Sequence, residues 1–250
     1  MIIGIIGYGV VGKAVASAYD EVMIYDPKYP NFSGSIAELK TKCGAIFICV
    51  PTPSTSDNAC DTRILVGVLD QLRGYGGLVI CKSTATPNFY AHLEQTYSEL
   101  KLAHVPEFLS PESAIDDYLF PTKIVIGAKS DLRMDVFGVI MSDKITYDFT
   151  KVQYCSLAEA AMFNYLVNAM LAMKTVISSE FSELSNSLGV KWDAVANIAK
   201  TDSRLGNTNW ESSASEITGD SLILSGLAKF MNVDMSMLNA AIAKNESSRS

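Results

Sequence analysis

Residues 2–26 read IIGIIGYGVVGKAVASAYDEVMIYD, and this stretch decides the fold. The apolar run 2–6 has the composition of a buried strand, and VVGKAVASAY over 10–19 reads as a helix. Between them Gly7, Gly9 and Gly12 form the pattern G-x-G-x-x-G. Gly7 suits a tight turn, Gly9 lets backbone approach a pyrophosphate, and Gly12 lets helix and strand pack closely. The helix N-terminus then offers N–H groups to the phosphates. A second strand, EVMIY over 21–25, is closed by Asp26, 19 positions after Gly7. A carboxylate there accepts from a ribose 2′-hydroxyl and repels a 2′-phosphate, so the expected cofactor is NAD rather than NADP.

The alternation continues outward. Strands are expected at 45–50, 78–82, 101–105, 123–127 and, as a last short one, 144–148 (KITYD), with helices between them. Strands apolar on both faces predict a doubly wound parallel sheet covered on each side, an α/β fold with right-handed connections. From about Val152 the pattern becomes helical. YCSLAEAAMFNYLVNAMLAMKTVISSEFSELSNSLG contains no Pro or Gly until Gly189, where Leu188-Gly189 reads as a C-cap. Three more helices follow, at KWDAVANIAK, DSLILSGLAKFM and MSMLNAAIAKN. The expected boundary lies near 150: residues 1–150 bind the dinucleotide and 151–250 are all-helical.

With 250 residues, 48% of them hydrophobic, the chain can bury a substantial core. A net charge of −7 without a Lys/Arg cluster gives nucleic acid no electrostatic support. Cys43, Cys49, Cys60, Cys81 and Cys155 form no CxxC pair, which points to reduced structural thiols and a cytoplasmic protein. Two histidines, His92 and His104, give no basis for a His-rich metal site, and no metal is expected. The N-terminus lacks the basic flank of a signal peptide, and no run is expected to span a bilayer.

Two strand ends carry further polar groups. FICVPTP sets Val50, Pro51 and Thr52 at the carboxyl end of one strand, and CKSTATP sets Ser83 and Thr84 at the end of another, where ligands of open α/β sheets bind. By themselves these are equally well ordinary loop residues. Glu107, between Pro106 and Phe108, either orients or deprotonates a water or is a surface loop acid.

Taken in order, GIIGYGVVGKA, FICVPTP, KSTATP, VPEFLSPESAIDDYLFPTKIVIG, NYLVNAMLAMK, SRLGNTNW and GDSLILSGLAKFMNVDMSMLNAAIAKN resemble the UDP-glucose/GDP-mannose dehydrogenase family. The resemblance covers nearly the whole chain. It implies a Rossmann domain followed by a helical dimerisation domain, and NAD-dependent oxidation of a sugar-nucleotide C6 alcohol to a carboxylate. It implies cofactor contacts from Gly7, Tyr8, Gly9, Val10, Val11, Gly12, Asp26, Val50, Pro51, Thr52, Ser83 and Thr84. It implies catalytic roles for Thr84 and Glu107, which position water, for Asn168, which holds the sugar alkoxide, and for Asp220. Phe108 and Leu109 match a substrate-lining loop, and Arg204 matches an arginine that reaches the neighbouring subunit's sugar. A homodimer through the long, Met-rich helix (Met162, Met170, Met173) is expected, with a small-molecule sugar nucleotide as partner and no nucleic acid or membrane.

The departures from the family pattern are specific. The nucleophilic Cys four positions before Asp220 is Glu216 here, and a lysine just before Asp220 is Gly219. A second lysine, four residues before Asn168, is Asn164, and the Asn of an NPEF motif is Val105. The family also continues into a third domain beyond the last residues seen here. A carboxylate adds poorly to an aldehyde where a thiolate would form a thiohemiacetal. The second oxidation is therefore expected to be impaired. The alternatives are a catalytically inactive NAD-binding module, or an incomplete enzyme needing a partner chain.

Overall fold

The structure, a computed structural model, describes residues 1–29, 31, 32, 34–205, 210 and 219–247. The chain divides into two compact units, Met1–Pro53 with Cys60–Asn164, and Ser54–Ala59 with Tyr165–Ser250.

The first unit is a seven-stranded sheet. Its strands are β1 (Ile3–Ile6), β2 (Val22–Tyr25), β3 (Ala45–Ile48), β4 (Leu78–Cys81), β5 (Lys101–His104), β6 (Val125–Ala128) and β7 (Gln153–Cys155), in the order β2-β1-β3-β4-β5-β6-β7. The crevice between β1 and β3 is the point where the strand order reverses. β3 shows why both faces are covered. Ala45 and Phe47 join one core cluster and Ile46 and Ile48 the other, because successive side chains leave opposite faces. Helices α1 (Val10–Ser17), α5 (Ala114–Leu119) and α6 (Arg133–Ile140) supply Ala14, Val15, Tyr118 and Val136 to the first cluster. Helices α2 (Ile36–Lys42), α3 (Arg63–Leu72) and α4 (Pro87–Thr96) supply Leu39, Leu69 and Tyr90 to the second.

Three features differ from expectation. The sheet is not wholly parallel: β5 and β6 pair antiparallel, Ala103 against Ala128. The chain leaves β5, forms the short helix α5 against α1, and re-enters the sheet from the end it left. Residues 144–148 are not a strand. Ile145 is buried in the core and Tyr147 packs half-buried against it, so the alternating pattern reflects loop packing rather than a ladder. The edge strand falls instead at Gln153–Cys155, three residues pairing parallel with β6 and too short and exposed to read from hydropathy.

Helix α7 (Leu157–Ser187) opens with a reciprocal cap. Ser156 Oγ accepts from the Glu159 N–H at 3.2 Å, and the Glu159 carboxylate accepts from the Ser156 N–H at 2.8 Å. It ends where Gly189 takes φ +68°, the left-handed cap expected there. By length and composition α7 could cross a bilayer, against the expectation that no run would. A core helix of a water-soluble fold meets the same criterion. Here Asn164 and Ser178, on α7, are buried within the protein.

The second unit holds the rest of α7 with α8 (Trp192–Ala199), α9 (Gly219–Phe230) and α10 (Ser236–Ser247). Ala172 and Val176 of α7 pack with Ala241 of α10, and Trp192 Nε1 donates to the Trp210 carbonyl at 3.0 Å. α9 lies tight on the 54–59 turn, since a Cβ on Gly226 would meet the Asn58 carbonyl at 2.6 Å.

His104 is fully buried on β5, its ring stacked on Tyr90 at 4.0 Å and its Nδ1 3.0 Å from the Cys81 carbonyl oxygen. Burial pushes its pKa down to about 3. The unfolded chain binds that proton below pH ~6.5 while the folded chain refuses it. The stability His104 contributes is therefore complete above pH ~6.5 and falls away towards pH 3, by about 3 kcal/mol at pH 4. Urea unfolding of the wild type and of His104→Phe between pH 7 and 4 should show a shallower loss in the variant; equal slopes would refute this.

Candidate active site

One cavity of about 730 Å³ opens at the carboxyl ends of the first strands, a volume suited to a dinucleotide. Gly7, Gly9, Val10, Val11, Asp26, Val50, Pro51, Thr52, Ser83, Thr84 and Glu107 all line it. Of the expected cofactor residues, Tyr8 and Gly12 do not, and each has a different task. A Cβ on Gly12 would stand 2.0 Å from the Gly7 carbonyl oxygen, so Gly12 permits α1 to sit directly on the turn. Gly7 itself holds φ +91°, which a side chain resists. Gly9 has nothing within 4 Å of the position a Cβ would take, which leaves open space over the first turn of α1. That opening, at a helix N-terminus with unpaired N–H groups, fits a pyrophosphate.

The Tyr8 amide donates to Asp26 Oδ2 at 2.6 Å, and the Lys28 amide donates to Oδ1 at 2.8 Å. Asp26 thus clamps the glycine turn onto β2 besides offering its carboxylate to the cavity, a role that motif spacing does not reveal. The Tyr8 ring packs edge-on against Phe32 at 4.8 Å and Tyr29 at 5.8 Å, and Tyr29 lines the cavity.

The turns after β3 and β4 are laced together. Ser83 Oγ donates to the Val50 carbonyl at 2.7 Å, and Thr52 Oγ1 donates to the Thr84 carbonyl. Tyr90 from α4 donates to the Ser83 carbonyl at 2.6 Å. Asn164 Nδ2 donates to Thr84 Oγ1 at 3.3 Å, so Asn164 holds the threonine hydroxyl.

Phe108 and Leu109 line a separate small cavity of about 50 Å³, with Phe108 edge-on to Phe163 at 5.6 Å and beneath the Lys123 ammonium at 4.5 Å. In the helical unit Asn168 Nδ2 donates to Asp220 Oδ2 at 2.7 Å. Burial raises the Asp220 pKa, and this hydrogen bond opposes the rise. Arg204 is exposed and makes a fork with its neighbour Asp202, Nε to Oδ1 at 2.9 Å. Gly219 opens α9, and Val105 is buried beyond β5 with its amide on the Cys81 carbonyl. Glu216 lies outside the described residues.

Lys82 and Cys49 are among the cavity residues that the sequence did not single out. Lys82 lines the cavity while only 4% exposed, a position that motif reading passed over beside Ser83 and Thr84. Cys49 was expected inside a strand but follows the last residue of β3, half-buried and on the cavity lining. Burial drives the Cys49 thiol far up, and the neighbouring Glu107 charge adds to this, so it stays protonated and weakly nucleophilic. Cys81, within β4, is pushed up to about 12 by burial.

Residues 24–142 match the NAD binding domain of the UDP-glucose/GDP-mannose dehydrogenase family, and residues 158–247 match its central domain. The chain belongs to this family. NAD is accordingly the cofactor of the α/β unit, and the glycine turn, open helix end and Asp26 fit it. UDP-glucose 6-dehydrogenase of Rickettsia felis is 27% identical over 213 residues, 81% of this chain and 47% of that protein. UDP-glucose 6-dehydrogenase AglM of Haloferax volcanii is 25% identical over 98% of this chain and 70% of its own length. The chain thus spans about half the length of the Rickettsia relative. The solved UDP-glucose dehydrogenase of Pyrobaculum islandicum shares the fold with a TM-score of 0.83 at 23% identity, over 98% of this chain and 68% of that one.

The two later glycines of the motif should respond differently to a methyl group. Gly9→Ala should keep the wild-type Tm yet weaken NAD binding by at least about tenfold, because the methyl fills the pyrophosphate space. Gly12→Ala should lower Tm, because its methyl meets backbone. Calorimetric titration with NAD and thermal melts of both variants check this; undiminished NAD affinity in Gly9→Ala would contradict the placement.

Proposed function

We infer that this chain is an NAD-dependent oxidoreductase acting on the C6 alcohol of a sugar nucleotide, impaired in the second of the two oxidations its family performs. The observation that carries the reading is the shared lining of one cavity by the glycine turn, Asp26, Thr84 and Glu107. When bound, NAD supplies the acceptor for the hydride that leaves the alcohol carbon.

The chain's own groups handle the proton and the oxygen. Glu107, on the cavity wall, takes the hydroxyl proton directly or through a water that Thr84 orients. Asn168 offers an amide N–H to the developing alkoxide. Asp220, its pKa raised by burial, is better matched to proton transfer near neutrality than an exposed aspartate. Phe108 and Leu109 would border the sugar, and Arg204 would serve a neighbouring subunit's site. For the second oxidation the family's thiol position is Glu216 and its lysine position is Asn164, which is occupied with Thr84. Neither Cys49 nor Cys81 offers a ready thiolate in compensation. The product that accumulates is then the aldehyde.

A second reading, an NAD-binding module without turnover, is favoured by the Asn164 contact, which engages the hydroxyl that should orient water. The five free thiols support a reducing, cytoplasmic setting. The expected homodimer has support in the helical unit, where Leu166, Met170, Ile177, Phe181 and Leu184 form an exposed stripe along α7.

Incubation with NAD and UDP-glucose or GDP-mannose should form one NADH per sugar with an aldehyde trapped by a hydrazine. Two NADH and a carboxylate would refute the impairment, and saturable NAD binding without any NADH would favour the binding module. Phe181→Asp should shift the protein from dimer to monomer by light scattering, and an unchanged mass would exclude α7 as the interface.

A further inference from the structure

Lys82 has no part in the chemistry described so far. Its backbone is fixed by the sheet, the amide donating to the Ile48 carbonyl at 2.8 Å just past β4. Lys82 lines both the large cavity and the 50 Å³ cavity behind the 105–109 loop. Glu107 also lines both, and among the described residues no other residue is shared by the two. Lys82 and Glu107 are therefore the partition between the cavities. Lys82 Nζ stands 3.9 Å from Glu107 Oε2 and 5.3 Å from the centre of the Tyr118 ring.

The surroundings decide which charges persist. Cys49 from the end of β3 and Tyr118 from α5 face the pair, with Tyr19 beyond α1 and His104 of β5 behind them. Burial drives the thiol and both phenols up and His104 down to about 3, so all four are neutral near pH 7. Of the charged groups that also line the small cavity, Asp117 accepts from the Ser110 amide and the Ser113 hydroxyl, and Lys123 lies over the Phe108 ring. Burial lowers the Lys82 pKa and the Glu107 charge opposes that fall, and among the described residues Lys82 is the cation paired with Glu107. A carboxylate in so apolar a wall, lacking a cation, shifts towards its protonated form and becomes a proton donor. The separation exceeds the 2.7–2.9 Å typical of a charge-assisted hydrogen bond, so the influence of Lys82 is electrostatic.

The geometry points to Lys82 as a positioning residue for Glu107: its ammonium keeps that carboxylate ionised at the partition, so that Glu107 meets the large cavity as a proton acceptor. The consequence for turnover rests on the function inferred above, whereas the ionisation of Glu107 can be measured without it. The experiment is an NMR titration of isotope-labelled glutamate side chains in the full chain, with the Glu107 signal assigned from Glu107→Gln. In Lys82→Met the midpoint of Glu107 should rise by about one to three pH units, while Lys82→Arg should stay near the wild type. The acid limb of kcat/KM should move with it at an unchanged KM for NAD. An unshifted midpoint in Lys82→Met, or an equal shift in Lys82→Arg, overturns the proposal. If Lys82→Met alone folds poorly, Lys82→Met with Glu107→Gln should regain stability by removing the stranded charge, and failure to regain it overturns the pairing. Wild-type protein that forms no NADH but shows the predicted midpoint shift would refute the inferred function and leave the pairing supported.

Discussion

Everything in the α/β unit depends on how closely α1 sits on the turn that precedes it. The Gly12 Cα faces the Gly7 carbonyl so nearly that a methyl group would stand 2.0 Å from the oxygen. This contact sets the N-terminus of α1 over the carboxyl ends of β1 and β3, with its unpaired N–H groups towards the cavity. Asp26 then ties the turn to β2 through the Tyr8 amide at 2.6 Å. A helix shifted outward by one side chain would leave the same sequence motif without an anion site.

The side of the cavity lined by Ser83 and Thr84 is held by another means, a polar lattice behind the strand ends. Tyr90 fixes the Ser83 carbonyl, Ser83 fixes that of Val50, Thr52 fixes that of Thr84, and Asn164 fixes the Thr84 hydroxyl. Buried polar groups are costly unless paired, so a lattice of this kind has few alternative arrangements. His104 belongs to the same layer through its stacking on Tyr90, which links the acid sensitivity of the fold to the turn that carries Ser83 and Thr84. Further along α7, Asn168 and Asp220 make an analogous pair inside the helical unit.

Much of this was legible in the residues. Gly7, Gly9, Gly12 and Asp26 report backbone conformation and spacing, which are local properties, and so they fall where the motif places them. The long helix was legible because its apolar period persists from a Ser156–Glu159 cap to Gly189. The strand expected at 144–148 was not, since alternation there reflects a loop that buries Ile145 and packs Tyr147 against the core, rather than a ladder. Nor was β7, whose three residues pair with β6 through backbone alone.

By itself, then, the sequence determined the alternating strands and helices and the dinucleotide turn, features encoded by neighbours along the chain. Only the tertiary structure decided the antiparallel entry of β6, the clamp of Asp26 on Tyr8, the hold of Asn164 on Thr84 and the placing of Lys82 beside Glu107. These join residues up to 80 positions apart, and hydrogen bonds and ion pairs are set by distance in space, on which hydropathy and spacing are silent.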